Sequence, residues 1–471
     1  MPDRHDDVDA WLSQRIEPLP PPPGTFELIK RRARRRKFRK LAITAGSAAV
    51  IVAAAVTVPQ VVNLPVLNPN PTAAPVGAQS NPANADRSAP RKAFGSASPA
   101  TSSAVPAGPT PAPVPVPGNF RPTSVTFVGP RTGWVIGQAL TPGHCATQFC
   151  TSVARTDDAG KTWAGVPAPM TGAADGASGL SQIRFLDLTD GWAYGPQLFA
   201  THTGGRTWAQ VDTGGLRVTA LETVGDRVFA VWASCTGDGP AYAVNCTRFT
   251  LYSASATGGT WAPVGTSTTG LTNGAAREAA ELVLTGSRGY LLAPGGTLYS
   301  GPVDGSGPWT RVSSLVASCP VGPARADGQP TGALLGAVNA SDLLLACASA
   351  SSGTNPSVST QQKFIYSSKN GGVSWEQMAT APAAGVAYGL AASPSESVVL
   401  ATDQGIDLLP AGEVRWRTAN LRGGGPAGGF GYIGMTTADQ GIALPADPSA
   451  GTVWFTFDGG QRWTASRLNG S

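Results

Sequence analysis

Charge is scarce in this chain. Asp, Glu, Lys and Arg together make up 13% of 471 residues, and only three residues are histidine. So few ionisable groups argue against a deep polar active site. Nucleophilic catalysis lacks its parts. No G-x-S-x-G elbow occurs, and beyond the N-terminal arm the histidines are His144 and His202 alone. Zinc lacks its ligand spacing, since no C-x-x-C pair occurs and His5, His144 and His202 are scattered. There is no P-loop, and no dinucleotide fingerprint stands out. The glycine-rich stretch Gly423 to Gly431 leads into an expected strand rather than a helix, so it reads as a loop and not a phosphate cradle. Beyond residue 64 no helical period of usable length appears, which excludes a helical body.

What is present is repetition. Thr156 to Trp163 reads T-D-D-A-G-K-T-W, and Thr201 to Trp208 reads T-H-T-G-G-R-T-W. Ser368 to Trp375 reads S-K-N-G-G-V-S-W, and Thr456 to Trp463 reads T-F-D-G-G-Q-R-W. Weaker copies end at Trp261, Trp309 and Trp416. A phrase recurring every few tens of residues marks one structural unit repeated. Each phrase has a local logic. The hydroxyl residue (Thr156, Thr201, Ser368, Thr456) opens a turn. Asp158, Asn370 or Asp458 accepts backbone amide hydrogen bonds within it. Gly160, Gly205, Gly372 and Gly460 supply positive φ, and the Trp offers apolar surface to bury.

A second phrase lies upstream. Val125 to Gly137 reads V-T-F-V-G-P-R-T-G-W-V-I-G, and Ile183 to Gly195 reads I-R-F-L-D-L-T-D-G-W-A-Y-G. Leu282 to Ala293 and Ile433 to Leu444 keep the same shape. Each is a strand, a polar turn and a second strand. A third strand precedes each Trp phrase and a fourth follows it. Four strands per unit is the blade of a β-propeller, and seven Trp positions predict seven blades, beginning near 124, 182, 218, 279, 332, 386 and 430. Six or eight blades are the alternatives, because the fourth and sixth units are degenerate. The fold class expected is all-β: a seven-bladed propeller of four-stranded antiparallel blades over 119–471, closed by contact between first and last blades. A strand from about 112 to 120 could add to that closure.

The recurring phrase resembles the Asp-box, or BNR, repeat, S/T-x-D-x-G-x-T/S-W. The copy at Trp163 fits at every position. Thr203 replaces the Asp in the second copy, Asn370 in the third, and Arg462 replaces the hydroxyl residue in the last. Asp-box proteins are β-propellers: sialidases, some endo-glucanases, sortilin-type receptors and photosystem II assembly factors. The resemblance implies the propeller fold and a structural role for the box, away from the central pocket.

A glycoside hydrolase of sialidase or endo-glucanase type is the alternative function it implies. Sialidases carry an F/Y-R-I-P motif before the first box, and this chain has Phe120-Arg121-Pro122 without the Ile. Two carboxylates must also face each other across the bond. Asp187, Asp190, Glu222, Glu281 and Asp439 lie near strand ends or turns but share no motif. The expectation is therefore no catalytic residue, cofactor or metal, and a binding or scaffold module.

The N-terminal quarter is different in kind. Lys30 to Lys40 holds nine basic residues in eleven, and Leu41 to Val58 follows without a charge. Residues 41–64 read as a single membrane-spanning signal anchor, with the basic arm 1–40 in the cytoplasm. A cleaved signal peptide is the competing reading, but its apolar core is shorter and follows a shorter start. The whole net charge of +5 lies in residues 1–40. The basic run thus reads as topology and lipid attraction, and no nucleic acid partner is expected. Residues 65–118 carry 13 prolines and one aromatic, and read as a disordered tether.

The propeller is placed outside the plasma membrane, where an envelope protein, peptide or glycan would be its partner. All six cysteines lie in that part, which suits disulfides in an oxidising compartment. Fifteen connectivities are possible. Placement favours Cys145–Cys150, Cys235–Cys246 and Cys319–Cys347.

Overall fold

The computed structural model describes residues 114–140, 149–172, 179–236, 245–264, 280–293, 296–314, 319, 333–348 and 360–468. The basic arm, the apolar run 41–64 and residues 65–113 lie outside the described residues. Among the described residues, no helix is long and apolar enough to cross a membrane.

Seven antiparallel sheets follow one another along the chain, each a four-strand meander. They occupy 121–166, 182–211, 217–263, 281–314, 333–381, 387–418 and 430–467. The strand phrases and Trp phrases thus mark the blades, including the degenerate fourth and sixth. In blade 7 the Trp lies inside the last strand, Arg462–Arg467, whereas Trp163 and Trp208 stand just before theirs.

The upstream phrase has a steric reason. Phe127 pairs across its hairpin with Gly133, and Phe185 with Gly191. A Cβ on either glycine would sit 2.5 to 2.6 Å from the partner ring. The aromatic therefore lies over a residue that has no side chain.

The core is divided among the seven junctions between neighbouring blades. Trp134 and Phe185 stack at 3.8 Å between blades 1 and 2. Phe120, Val125, Leu444 and Phe455 pack between blades 1 and 7. Innermost strands do not pair with one another, so their backbone groups need other partners. Side chains of neighbouring blades supply them. Ser124 Oγ accepts from the Ile183 amide at 3.3 Å, and Thr126 Oγ1 from that of Phe185 at 3.4 Å. Thr123 Oγ1 donates to the Ser181 carbonyl at 2.8 Å.

The ring closes by contact of blades 7 and 1. All four antiparallel strands of blade 7 come from the C-terminal segment, and among the described residues no N-terminal strand completes it. Val114 instead makes a single bridge to Gly165 on the outer edge of blade 1. Residues 114–118, assigned above to the tether, thus lie against this blade. The Pro115 carbonyl comes within 2.7 Å of where a Cβ on Gly165 would stand, so the missing side chain admits the chain there. Blade 7 departs from four strands in another way. Asn420–Leu421, at the end of blade 6, joins it as a fifth, parallel strand.

One turn offers a paired test. Gly160 has φ 80°, and a Cβ there would meet the Phe455 ring at 2.3 Å. Its neighbour Ala159 holds φ 65°, where the other three good boxes have Gly204, Gly371 and Gly459. Gly160→Ala should cost about 2 kcal/mol or more, from backbone strain and overpacking together. Ala159→Gly should stabilise by about 0.5–1 kcal/mol, since it relieves the strained conformation. Denaturant titration of the full chain followed by tryptophan fluorescence reads both, and equal signs would contradict the geometry.

Candidate functional site

The box turns form one set of sites. In blade 1 the Asp158 carboxylate accepts from the Thr156 hydroxyl at 2.8 Å, the Thr162 amide at 2.9 Å and the Thr162 hydroxyl at 2.6 Å. Partial burial alone would raise the Asp158 pKa. Hydrogen bonds from Thr162, Thr156 and the Lys161 amide outweigh it and hold the group below its ordinary range.

The variant boxes conserve this geometry by other chemistry. Thr203 Oγ1 accepts from the Thr207 amide at 2.9 Å, and Asn370 Oδ1 from that of Ser374 at 2.9 Å. At Asp458 the guanidinium of Arg462 takes the place of the missing hydroxyl at 2.7 Å. In each copy the opening hydroxyl accepts the box glycine amide: Gly160, Gly205, Gly372 and Gly460, at 2.8 to 3.0 Å. The acceptors are thus occupied by their own turns.

The box tryptophans divide by burial. Trp463 is fully buried and Trp309 nearly so. Trp163, Trp208, Trp261, Trp375 and Trp416 are half-buried. Trp163 Nε1 donates across the closing junction to Ser466 Oγ at 3.1 Å.

The disulfides lie at the other end of the meander, where second strands end and third strands begin. Cys235 pairs with Cys246, and Cys319 with Cys347. Cys150 is also disulfide-bonded, and Cys145 lies outside the described residues, as does His144. His202 Nδ1 meets Asp190 Oδ1 at 2.5 Å. Among the described residues, no group of three His, Cys, Asp or Glu could hold a metal ion.

The innermost strands carry a second set. Arg184 donates through Nε to Glu222 Oε1 at 2.8 Å and through a terminal nitrogen to Ser124 Oγ at 3.2 Å. It thereby links blades 1, 2 and 3. Burial opposes its charge, but Glu222 outweighs burial and keeps it firmly protonated. Burial pushes Tyr194 up to about 12 and raises Tyr432 as well, both within the field of Arg184 and Glu222.

Glu281 accepts from the Leu335 amide of the next blade, and burial pushes its pKa up to about 7. No charged group contributes to that shift. Asp187 is engaged too, accepting from the amides of Thr189 at 2.7 Å and Asp190 at 2.8 Å.

Three more basic groups complete the picture. Lys363, wholly buried, donates to the carbonyls of Gln361, Ala384 and Gly385 at 2.7 to 3.1 Å, and so fastens blade 5 to the chain entering blade 6. Arg121 lies 4.3 Å from the Phe149 ring centroid, in a cleft at the junction of blades 1 and 7 that also contains Arg467. Sequence reasoning singled out Arg121, Glu222 and Glu281 but missed Arg184, Lys363 and Arg467. A signal existed for Arg184 alone: it takes the place of Thr126 in the repeated strand phrase.

No family model matches the chain, and no curated protein matches it. Solved structures do. The chain is similar to YCF48 bound to D1 peptide, at 14% identity over 74% of this chain and 95% of that one, with TM-score 0.47. It is similar to YCF48 from Cyanidioschyzon merolae, at 13% identity over 64% and 87%, with TM-score 0.42. It is also similar to an ancestral GH74 enzyme, at 12% identity over 76% of this chain and 47% of that one, with TM-score 0.48. At these identities and superpositions, none carries an argument about this chain's ligand or chemistry.

The Glu281 contact generates a pH test. The folded chain keeps a proton between the ordinary value of 4.5 and about 7 that the unfolded chain releases. Stability therefore falls as pH rises through that window, by up to about 3 kcal/mol. Glu281→Gln keeps an acceptor for the Leu335 amide and carries no charge. It should flatten this slope and raise Tm near pH 8, read by scanning calorimetry from pH 4.5 to 8. An unchanged slope would show that Glu281 titrates normally.

Proposed function

We propose that this chain is a membrane-anchored, extracytoplasmic β-propeller that binds or scaffolds an envelope protein, peptide or glycan. One observation carries the non-enzymatic part. The two carboxylates of the innermost strands are already bound to neighbouring blades: Glu222 to Arg184, and Glu281 to the Leu335 amide. A glycosidase needs one carboxylic acid and one free carboxylate across a bond. Here Glu222 is held by an arginine, and Glu281 is spent on a backbone amide. Groups used to hold the ring together leave its surfaces for recognition.

The anchoring part rests on sequence. The nine basic residues in Lys30 to Lys40 and the uncharged run after them support a span with its N-terminus inside. The tether of residues 65–113 would carry the propeller away from the bilayer.

Two measurements test this reading. The full chain in detergent should release no fluorophore from aryl sialosides, glucosides or xylosides. Turnover that disappears in Glu222→Gln would overturn it in favour of the hydrolase. Protease added to intact cells should remove the propeller and leave the basic arm protected. Digestion of the arm instead would place the chain the other way round.

A further inference from the structure

We propose that the cleft between blades 1 and 7 is a site for a peptide carboxylate, with Arg121 and Arg467 as its anion-binding groups. This rests on the peptide form of the reading above and gives it a location. The cleft has a volume of about 600 Å³, within the range of ligand pockets. Asn119 and Arg121 line it from one side, Gly451, Thr452 and Arg467 from the other. It lies at the ends of second strands and starts of third strands, away from the box turns.

Charge is the first argument. Three arginines near blade junctions are paired with a carboxylate, Arg184 with Glu222, Arg155 with Asp157 and Arg462 with Asp458, at 2.7 to 2.8 Å, and Arg227 and Arg288 are held by the Ser253 and Ser300 hydroxyls. Arg467 is exposed and, among the described residues, has no ionic partner. Arg121 feels Asp447, but that carboxylate already accepts from the Ser449 amide at 2.8 Å and hydroxyl at 2.6 Å. Of the two guanidiniums only Arg121 has a carboxylate in reach, and that one is engaged. A guanidinium matches a carboxylate with two parallel donors, so a ligand carboxylate answers the excess.

Apolar surface is the second argument, and it separates peptide from sugar. Saccharide sites offer an open aromatic face. Phe120 is 1% exposed, and the Phe149 ring is covered by the Arg121 guanidinium. The same stacking holds Arg121 in place before a ligand arrives, which lowers the ordering cost of binding.

The cleft is assembled only when the ring closes, because its two sides come from opposite ends of the propeller. A ligand held there stabilises the closed ring by mass action.

The test uses the full-length chain in detergent and fluorescein-labelled pentapeptide pools. One pool has a free C-terminus and no acidic residue, one is amidated and neutral, and one is amidated with a single Glu. The first and third pools separate a terminal from a side-chain carboxylate, and either binding supports the site. Fluorescence polarisation should show the neutral pool at least about tenfold weaker than a carboxylate pool. Arg467→Gln should cost about tenfold, Arg121→Gln a similar factor, and Tm should stay within a few degrees in the exposed Arg467 variant. Carboxylate-dependent binding that is indifferent to both arginines would overturn the site and leave the peptide reading standing. Silence of every pool at 1 mM concentration, on the order of the weakest useful affinity, would overturn both. Arg467-dependent binding of sodium glucuronate with silent peptide pools would make this a glycan site and overturn the peptide assignment.

Discussion

The contact between a box glycine and the preceding blade is the interaction on which the ring depends. Gly160 of blade 1 seats the Phe455 ring of blade 7, and Gly205 of blade 2 lies beside the Trp134 indole of blade 1. Gly372 of blade 5 seats Leu298 of blade 4, and Gly460 of blade 7 seats Val399 of blade 6. The glycine is thus required twice, for a positive φ that turns the hairpin and for bare space that admits the neighbour. Trp134 completes its joint by donating to the Gly204 carbonyl at 3.2 Å. Closure uses the same joint as the interior of the ring, which is why no N-terminal strand is needed to lock it.

The axis presents the complementary problem. Innermost strands expose backbone groups that no sheet partner satisfies, and a buried unpaired amide is costly. Hydroxyls, two carboxylates and one arginine bridge the gaps between blades. The demand accounts for polar residues at strand positions where a barrel or sandwich would place valine. It also leaves few polar groups there for chemistry. Arg121 and Arg467 lie instead at the closing junction, where the first and last blades meet and the repeat pattern is interrupted.

Much of the fold was legible because its signals are local. A hairpin is encoded within about ten residues by glycine φ, a turn acceptor and a cross-strand pair, so Phe127 with Gly133 or Asp158 with Thr162 can be read in line. Repetition then located even the degenerate units, since Trp261, Trp309 and Trp416 keep the spacing after their Asp or Gly is lost. The turn roles of Asp158, Asn370 and Asp458 were legible for the same reason. The expected four-stranded blade missed the parallel strand Asn420–Leu421, whose partner lies in the next unit, and the tether boundary missed residues 114–118 for the same cause.

The sequence alone determined the repeat, the hairpin turns and the confinement of net charge to the N-terminal arm, and it put the blade count at seven with six and eight still open. Tertiary structure alone decided that Arg184 joins three blades, that Glu281 caps the Leu335 amide, that Lys363 fastens blade 5 to the chain entering blade 6, and that Arg121 and Arg467 face one cleft. The reason is separation along the chain. Turn chemistry acts between residues a few positions apart, whereas Arg121 and Arg467 come together only because seven blades bend the chain into a ring.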